Sequence, residues 1–304
     1  MRLLSKAAFA TRMLQRRMMR PPRACPYCGE SRELNLLGRK KLLLDVLRCP
    51  ACRLTFRWPL ETETESHRFY QGRYAEGAIT RLPRPAELSR LVKSAFRGTS
   101  LDLAAKIEIL SALRPCGRVL DFGCSWGYGI HQLIARGYEA IGYEVSARRA
   151  AFGRRKLGVP IVDNARDLAR LPSNSFDVIF SNHVLEHTPS IREVLDQFAR
   201  LLVPGGLAFI VLPNFSGRAA IGGRFWNWIG EPHPLAPTRE FFLHNLPRHG
   251  LRNVVTASDP FHVGMARHLQ ARHSDELPQD GDELLVLAWR EDPASRETTA
   301  CASR

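Results

Sequence analysis

The sequence predicts an α/β fold: a mostly parallel sheet with helices on both faces, preceded by a small cysteine-bearing module. From Leu101 onward, short apolar runs ("RVLDFG", "AIGYEV", "IVDN", "FDVIFSN", "GLAFIVLPN", "NVVTAS", "ELLVLAW") alternate with helical stretches. Helix-period segments separate the first five runs, which implies parallel strands joined by crossovers. Ahead of them stand two CxxC pairs, and between the two regions lies a stretch of mixed charge, Pro and Gly that reads as a linker. The 304 residues, 44% of them apolar, suffice for one large domain with a small satellite. The expected division is a basic extension (1–22), a zinc-ribbon module (23–60), a linker with helical pieces (61–98), the α/β domain (99–291) and a flexible tail (292–304).

Residues 1–22 spread Arg and Lys through Leu3, Leu4, Phe9, Leu14 and Met18, a basic amphipathic helix stopped by Pro21 and Pro22. Three readings stay open: peripheral contact with an anionic membrane, a frayed extension, or a cleaved targeting segment. Residues 1–60 hold fourteen Lys and Arg against Glu30, Glu33 and Asp45, so +11 of the net +14 sits there. Any footprint for phosphates or anionic lipid therefore belongs to this end. No run approaches the roughly 20 apolar residues of a membrane span, and the expected location is cytoplasmic, or peripheral at a membrane surface.

Cys25, Cys28, Cys49 and Cys52 form C-x2-C-x20-C-x2-C. Each CxxC turn aims two thiolates at one cation, and four sulfur ligands close a tetrahedral structural Zn²⁺ site; a redox dithiol is the competing reading. So short a module has too little core of its own, and a metal would supply the missing stability. Cys124 reads as a small buried thiol.

"VLDFGCSWGYG" (119–129) carries a strand-end carboxylate, Asp121, into the glycines Gly123, Gly127 and Gly129, so the backbone can turn sharply beside a ligand. The next strand, "AIGYEVS", ends in Glu144 at the spacing of a ribose clamp. There is no P-loop Lys-Ser/Thr, and G-x-x-x-G-x-G departs from G-x-G-x-x-G, so a ribose without a diphosphate is expected. "SNHVLEH" follows a strand, which turns Asn182 and His183 toward the crevice. His183 is the first candidate general base, with pocket shaping as its alternative; His187 reads as structural. The Gly- and Trp-rich stretch 214–242 reads as an acceptor lid, with His233 and Trp226 or Trp228 able to enter the pocket. Phe241, Phe242 and Leu246 read as core.

Through "VLDFGCSWGYG", "IGYEVS", "LPSNSFDVIFSNHVLEH" and "LLVPGGLAFIVLPN", residues 99–290 resemble the class I S-adenosylmethionine-dependent methyltransferases. The resemblance implies a Rossmann-like seven-stranded sheet closed by an antiparallel pair, and S-adenosyl-L-methionine as cofactor. It implies Asp121 near the methionine amino group, Gly123 and Gly127 under the cofactor, and Glu144 on the ribose. The adenine contact falls at Asn164 and Ala165, where the family usually has an acid, and Asn182 joins the cofactor-binding set. Ser125 replaces a common glycine, so its side chain must point away from the cofactor or donate to it. The expected reaction is methyl transfer to a small-molecule acceptor, such as a sugar nucleotide, glycan or lipid-linked intermediate, because a zinc module ahead of this domain resembles sugar methyltransferases. An RNA methyltransferase docking through the basic portion is the alternative; the α/β domain is not basic, and "SNHVLEH" lacks the N-P-P-Y pattern of base-amine enzymes. A silent binding fold is the third reading.

Overall fold

The computed structural model describes residues 2–72, 81–217, 220–258, 261–265, 269 and 277–292. From residue 293 on, the expected tail lies outside the described residues.

The chain opens with α1 (Arg2–Met18) and an antiparallel sheet of β1 (Asn35–Lys40), β2 (Leu44–Arg48) and β3 (Thr55–Trp58). α2 (Glu63–Gly72), α3 (Pro85–Lys93) and α4 (Ala104–Leu113) lead into the alternating segment. There β4 (Arg118–Phe122), α5 (Tyr128–Ala135), β5 (Glu139–Tyr143), α6 (Ala147–Lys156), β6 (Ile161–Val162), α7 (Ala165–Arg170), β7 (Phe176–Asn182), α8 (Ile191–Leu201) and β8 (Leu202–Pro213) follow in order. α9 (Phe225–Trp228), β9 (Leu235–Ala236), α10 (Arg239–Asn245), β10 (Leu251–Ser258) and β11 (Glu283–Arg290) complete the fold.

The main sheet has the order β10-β11-β8-β7-β4-β5-β6, parallel from β8 to β6 and antiparallel at β11 and β10. Strand alternation sorts the core into two layers. Leu120, Ile179, Ala208 and Ile210 pack toward α8 and α10, while Val119, Phe180, Leu207 and Phe209 pack toward α4 and α5. α8 contributes Ile191, Leu195, Phe198 and Leu201, a stripe at helical spacing, and starts where Ser190 Oγ accepts the Glu193 amide. Phe241, Phe242 and Leu246 are fully buried, as expected.

The N-terminal segment, expected as a small zinc-ribbon module ahead of the domain, shares its sheet with the insert. β9 adds to β3 as a fourth antiparallel strand, so the insert after β8 completes the N-terminal sheet. Cys25, Tyr27, Leu47 and Phe56 share one core with Phe241, Phe242 and Leu246. Arg57, wholly buried, donates to the carbonyls of Gly230 (2.6 Å) and Pro59 (2.5 Å) and pairs with Glu61.

α1 is docked rather than frayed. Met13 is buried, and Arg12, Arg16 and Arg17 pair with Glu231 (2.7 Å), Glu65 (2.9 Å) and Asp45 (3.1 Å). Asp45, itself fully buried, also holds Arg23 and Arg39. Much of the basic charge expected to meet phosphates is thus engaged within the protein. No helix among the described residues is long and apolar enough to cross a membrane.

The expected linker is structured in part. Leu82, Leu88, Leu91 and Val92 pack against the buried Phe96, Leu101 and Trp126. Trp126 is enclosed by Phe96, Tyr128 and Phe152, a packing role. α2 lies over the main sheet's carboxyl end, where Gln71 donates to the Val145 carbonyl (2.6 Å) and accepts the Ala147 amide (3.2 Å).

Candidate functional site

A cavity of about 680 Å³ opens at the carboxyl ends of β4, β5 and β7. Gly123, Glu144, Asn164, Ala165 and His183 line it together, and Glu63, Thr64, His67 and Tyr70 of α2 form part of its wall. The size suits one organic cofactor or ligand.

Glu144 is 6% exposed and held between two backbone donors, Ser125 N (3.0 Å) and Ser146 N (2.7 Å). Burial raises its pKa, while those amides and the nearby Arg149 pull the other way. Each oxygen keeps acceptor capacity beyond its single amide. Ser125, at φ +53°, turns its hydroxyl to Arg149 Nη1 (2.7 Å), and so away from the ligand side. Asp121 lies just behind the wall, 5% exposed. Burial, with the Glu144 carboxylate second, pushes it up to about 8.

The glycine turn meets protein at close range. A Cβ on Gly123 (φ +84°) would come within 2.3 Å of Val184, and one on Gly127 (φ +83°) within 2.6 Å of Val159. Gly123 also lines the cavity; Gly127 does not, and its missing Cβ would enter the apolar layer of Val159 and Ile161. Asn164 caps α7, its Oδ1 accepting the Asp167 amide (2.9 Å) and its Nδ2 donating to the Asp167 carboxylate (2.7 Å).

Asn182 Oδ1 accepts from Lys106 Nζ (3.0 Å), which also pairs with Glu283 (3.0 Å). Glu283 Oε1 in turn sits 2.5 Å from His183 Nε2, and Glu186 Oε1 lies 3.5 Å from His183 Nδ1. Burial would lower the imidazole, but the two carboxylates outweigh it and hold His183 at about 9. With a carboxylate near each ring nitrogen, the charged form of His183 is favoured, and in that form the ring has no lone pair for the general-base role expected of it. The loop places it by a left-handed backbone (φ +56°) and a hydrogen bond from its amide to Val211 O (2.8 Å).

His233 stands apart from the main cavity wall and faces His187, ring centroids 4.6 Å apart. Burial and the neighbouring His187 lower it to about 4. Its Nδ1 donates to the Trp228 carbonyl (2.9 Å).

The four cysteines converge, their Sγ atoms within 4.8 Å of one another. Cys25–Cys52 and Cys28–Cys49 sulfurs are 3.4 and 3.5 Å apart; tetrahedral Zn–S bonds of about 2.3 Å separate sulfurs by about 3.8 Å. The two knuckles repeat one turn: Gly29 N donates to Cys25 O and Arg53 N to Cys49 O, with Gly29 (φ +79°) and Arg53 (φ +65°) both left-handed. A hydrogen bond from Cys52 draws Cys25 down to about 6, whereas burial pushes Cys28 up to about 11. This donor set fits a thiophilic cation.

A family model described as a methyltransferase domain matches residues 90–275. The chain belongs to this methyltransferase family. Its sheet order and cavity are those of the class I S-adenosylmethionine-dependent methyltransferase fold. Among curated relatives, the chain is 34% identical over 116 residues to the trans-aconitate 2-methyltransferase of Methylobacterium nodulans, covering 37% of this chain and 43% of that protein. It is 31% identical over 117 residues to the ubiquinone biosynthesis O-methyltransferase of Xanthomonas axonopodis pv. citri, covering 36% and 49%. The chain thus spans less than half the length of these two relatives. A solved SAM-dependent methyltransferase from Archaeoglobus fulgidus is 18% identical and covers 66% of this chain and 99% of that one, at a TM-score of 0.49.

Several cavity and network residues escaped sequence reasoning. The wall from α2 was signalled by the capping box Thr62-x-x-Glu65, in which Thr62 N donates to Glu65 Oε2 (2.8 Å) and Glu65 N to Thr62 Oγ1 (3.2 Å). Lys106 and Glu283 had no local signal, because one lies on α4 and the other on β11 and only tertiary packing brings them together.

Proposed function

We propose that the protein transfers a methyl group from S-adenosyl-L-methionine to a small-molecule acceptor. The observation that carries this is the buried, amide-clamped Glu144 in the wall of a cofactor-sized cavity at the strand ends, shared with Gly123 and Asn164. Glu144 would hold the ribose hydroxyls, Asp121 the methionine ammonium, and Asn164 with Ala165 the adenine edge. When bound, the cofactor supplies an already activated methyl on sulfonium sulfur, and the protein's part is alignment and exclusion of water. α2 narrows the cavity mouth, and the His183 imidazolium sets positive charge beside the acceptor space.

Curated relatives act on small molecules, one named for trans-aconitate and others for ubiquinone biosynthesis. For the finer class we retain a sugar nucleotide, glycan or lipid-linked acceptor, on the resemblance of a metal-binding cysteine module ahead of this domain. We infer that the four cysteines hold a structural Zn²⁺; their free thiols suit a cytoplasmic setting. RNA docking draws less support, since Arg12, Arg16, Arg17, Arg23 and Arg39 are all paired with carboxylates. Calorimetry with S-adenosylhomocysteine tests the reading. Binding at one site per chain is expected, and a well-folded protein that takes up none would overturn it.

A further inference from the structure

Directly after β7 the chain makes a single 3-10 turn, Leu185–His187, that buries the Glu186 carboxylate without a hydrogen bond, the His183 ring being its nearest partner in charge. Glu186 is fully buried, and neither of its oxygens has a hydrogen-bond partner. His183 Nδ1 stands 3.5 Å and His187 Nε2 3.8 Å from Oε1, too long for hydrogen bonds. A buried anion is normally satisfied by close donors, and the His183 ring, held closer by Glu283 at 2.5 Å, leaves Glu186 with charge nearby but no hydrogen bond.

Two histidines are prepared on the same side. His187 Nδ1 donates to the Pro232 carbonyl, and His233 Nδ1 to the Trp228 carbonyl at 2.9 Å. A carbonyl can only accept, so each ring carries a proton on Nδ1, which leaves Nε2 as the nitrogen with which it could ligate a cation. Backbone fixing of the distal nitrogen is the outer shell found around metal-ligating histidines. Ligand atoms of Glu186, His187 and His233 all lie within 4.8 Å of one another, so small side-chain rotations bring them around one ion.

We propose that Glu186, His187 and His233 form a binding site for a divalent first-row transition-metal cation, separate from the four-cysteine cluster. Two imidazoles and one carboxylate are the donor set of such ions where further positions stay open to oxygen ligands. Four sulfurs select a soft, closed site; nitrogen and oxygen donors select a harder, open one. Because His187 also lines the main cavity, the ion sits in its wall. Because Glu186 and His187 follow β7 while His233 belongs to the insert, the ion also pins the insert to the sheet end. The site involves no residue assigned above to the cofactor, and its occupancy is measured without turnover.

The test uses the full chain with zinc already on its cysteines. Mn²⁺ is titrated in by calorimetry and by loss of the aqueous Mn²⁺ signal in EPR. One Mn²⁺ per chain is expected, with Glu186→Gln and His233→Ala each weakening it by about a hundredfold or more, at unchanged zinc content and melting behaviour. Failure of folded wild type to bind Mn²⁺, or undiminished binding in both variants, overturns the site. Should a variant fold poorly, pulsed EPR on the wild type decides: nitrogen coupling from imidazole to bound Mn²⁺ supports the site, and its absence overturns it.

Discussion

Phe56 of β3 pairs across the strands with Leu235 of β9, and both are fully buried. The cysteine knuckles flank the same sheet, since Cys49 follows β2 and Cys52 precedes β3. Asn245 Nδ2 donates to the Cys52 carbonyl (2.8 Å), tying the second knuckle to α10. Order at the cysteines is therefore transmitted to the insert through backbone pairing. Stripping the inferred zinc with a chelator should lower hydrogen-exchange protection at 230–237 by about tenfold or more, as β9 loses its partner. Unchanged protection there in fully demetallated protein would show that the knuckles and the insert are independent.

Replacing Glu144 with Gln keeps the shape but sets an NH2 against either the Ser125 or the Ser146 amide. A charge-assisted hydrogen bond contributes about 1.5–3 kcal/mol, so S-adenosylhomocysteine affinity should fall by about 10- to 100-fold. The check is calorimetry beside a thermal melt: wild-type affinity in the variant would remove Glu144 from the ribose-binding role.

The sheet was legible because parallel strands buried on both faces read as continuous apolar runs, as "FDVIFSN" and "GLAFIVLPN" do. Glu144 was legible because a strand end and a fixed distance from the glycine turn locate it before any folding is known. β9 was not, since two residues, Leu235 and Ala236, carry no period. His183 was legible by place but not in its electrostatics: residue type suggests a base, while Glu283, which favours its charged form, arrives from a strand 100 positions away. That Val159 leaves no room for a side chain at Gly127 was not legible, because sequence shows that a side chain is missing, not which neighbour requires its absence.

Gly38 faces the ring of Trp226, and a Cβ there would approach Cη2 to 2.6 Å. Its backbone needs no left-handed conformation, so space alone restricts the position. Gly38→Val should displace the indole and destabilise the protein by about 1–3 kcal/mol. It should also speed proteolysis within 214–234 while leaving S-adenosylhomocysteine binding unchanged. Insert cleavage at the wild-type rate would mean that Trp226 does not anchor this segment to β1.

Asp121 gives the pH dependence a definite sign. Its ordinary value of 3.8 is raised to about 8 in the folded protein, by burial and then by Glu144. Between those pH values the folded chain keeps a proton that the unfolded chain has lost, so this group's contribution to stability is complete below about pH 4 and declines as pH rises toward 8. The slope is at most about 1.4 kcal/mol per pH unit. Asp121→Asn, which cannot ionise, should lose less stability than wild type between pH 5 and pH 8 in urea unfolding. Binding runs the opposite way: the proposed contact with the cofactor's ammonium needs the carboxylate, so wild-type affinity for S-adenosylhomocysteine should rise with pH up to about 8 and release a proton below it. Parallel stability profiles for wild type and Asp121→Asn would mean that Asp121 is already ionised in the fold, and the affinity rise should then vanish too.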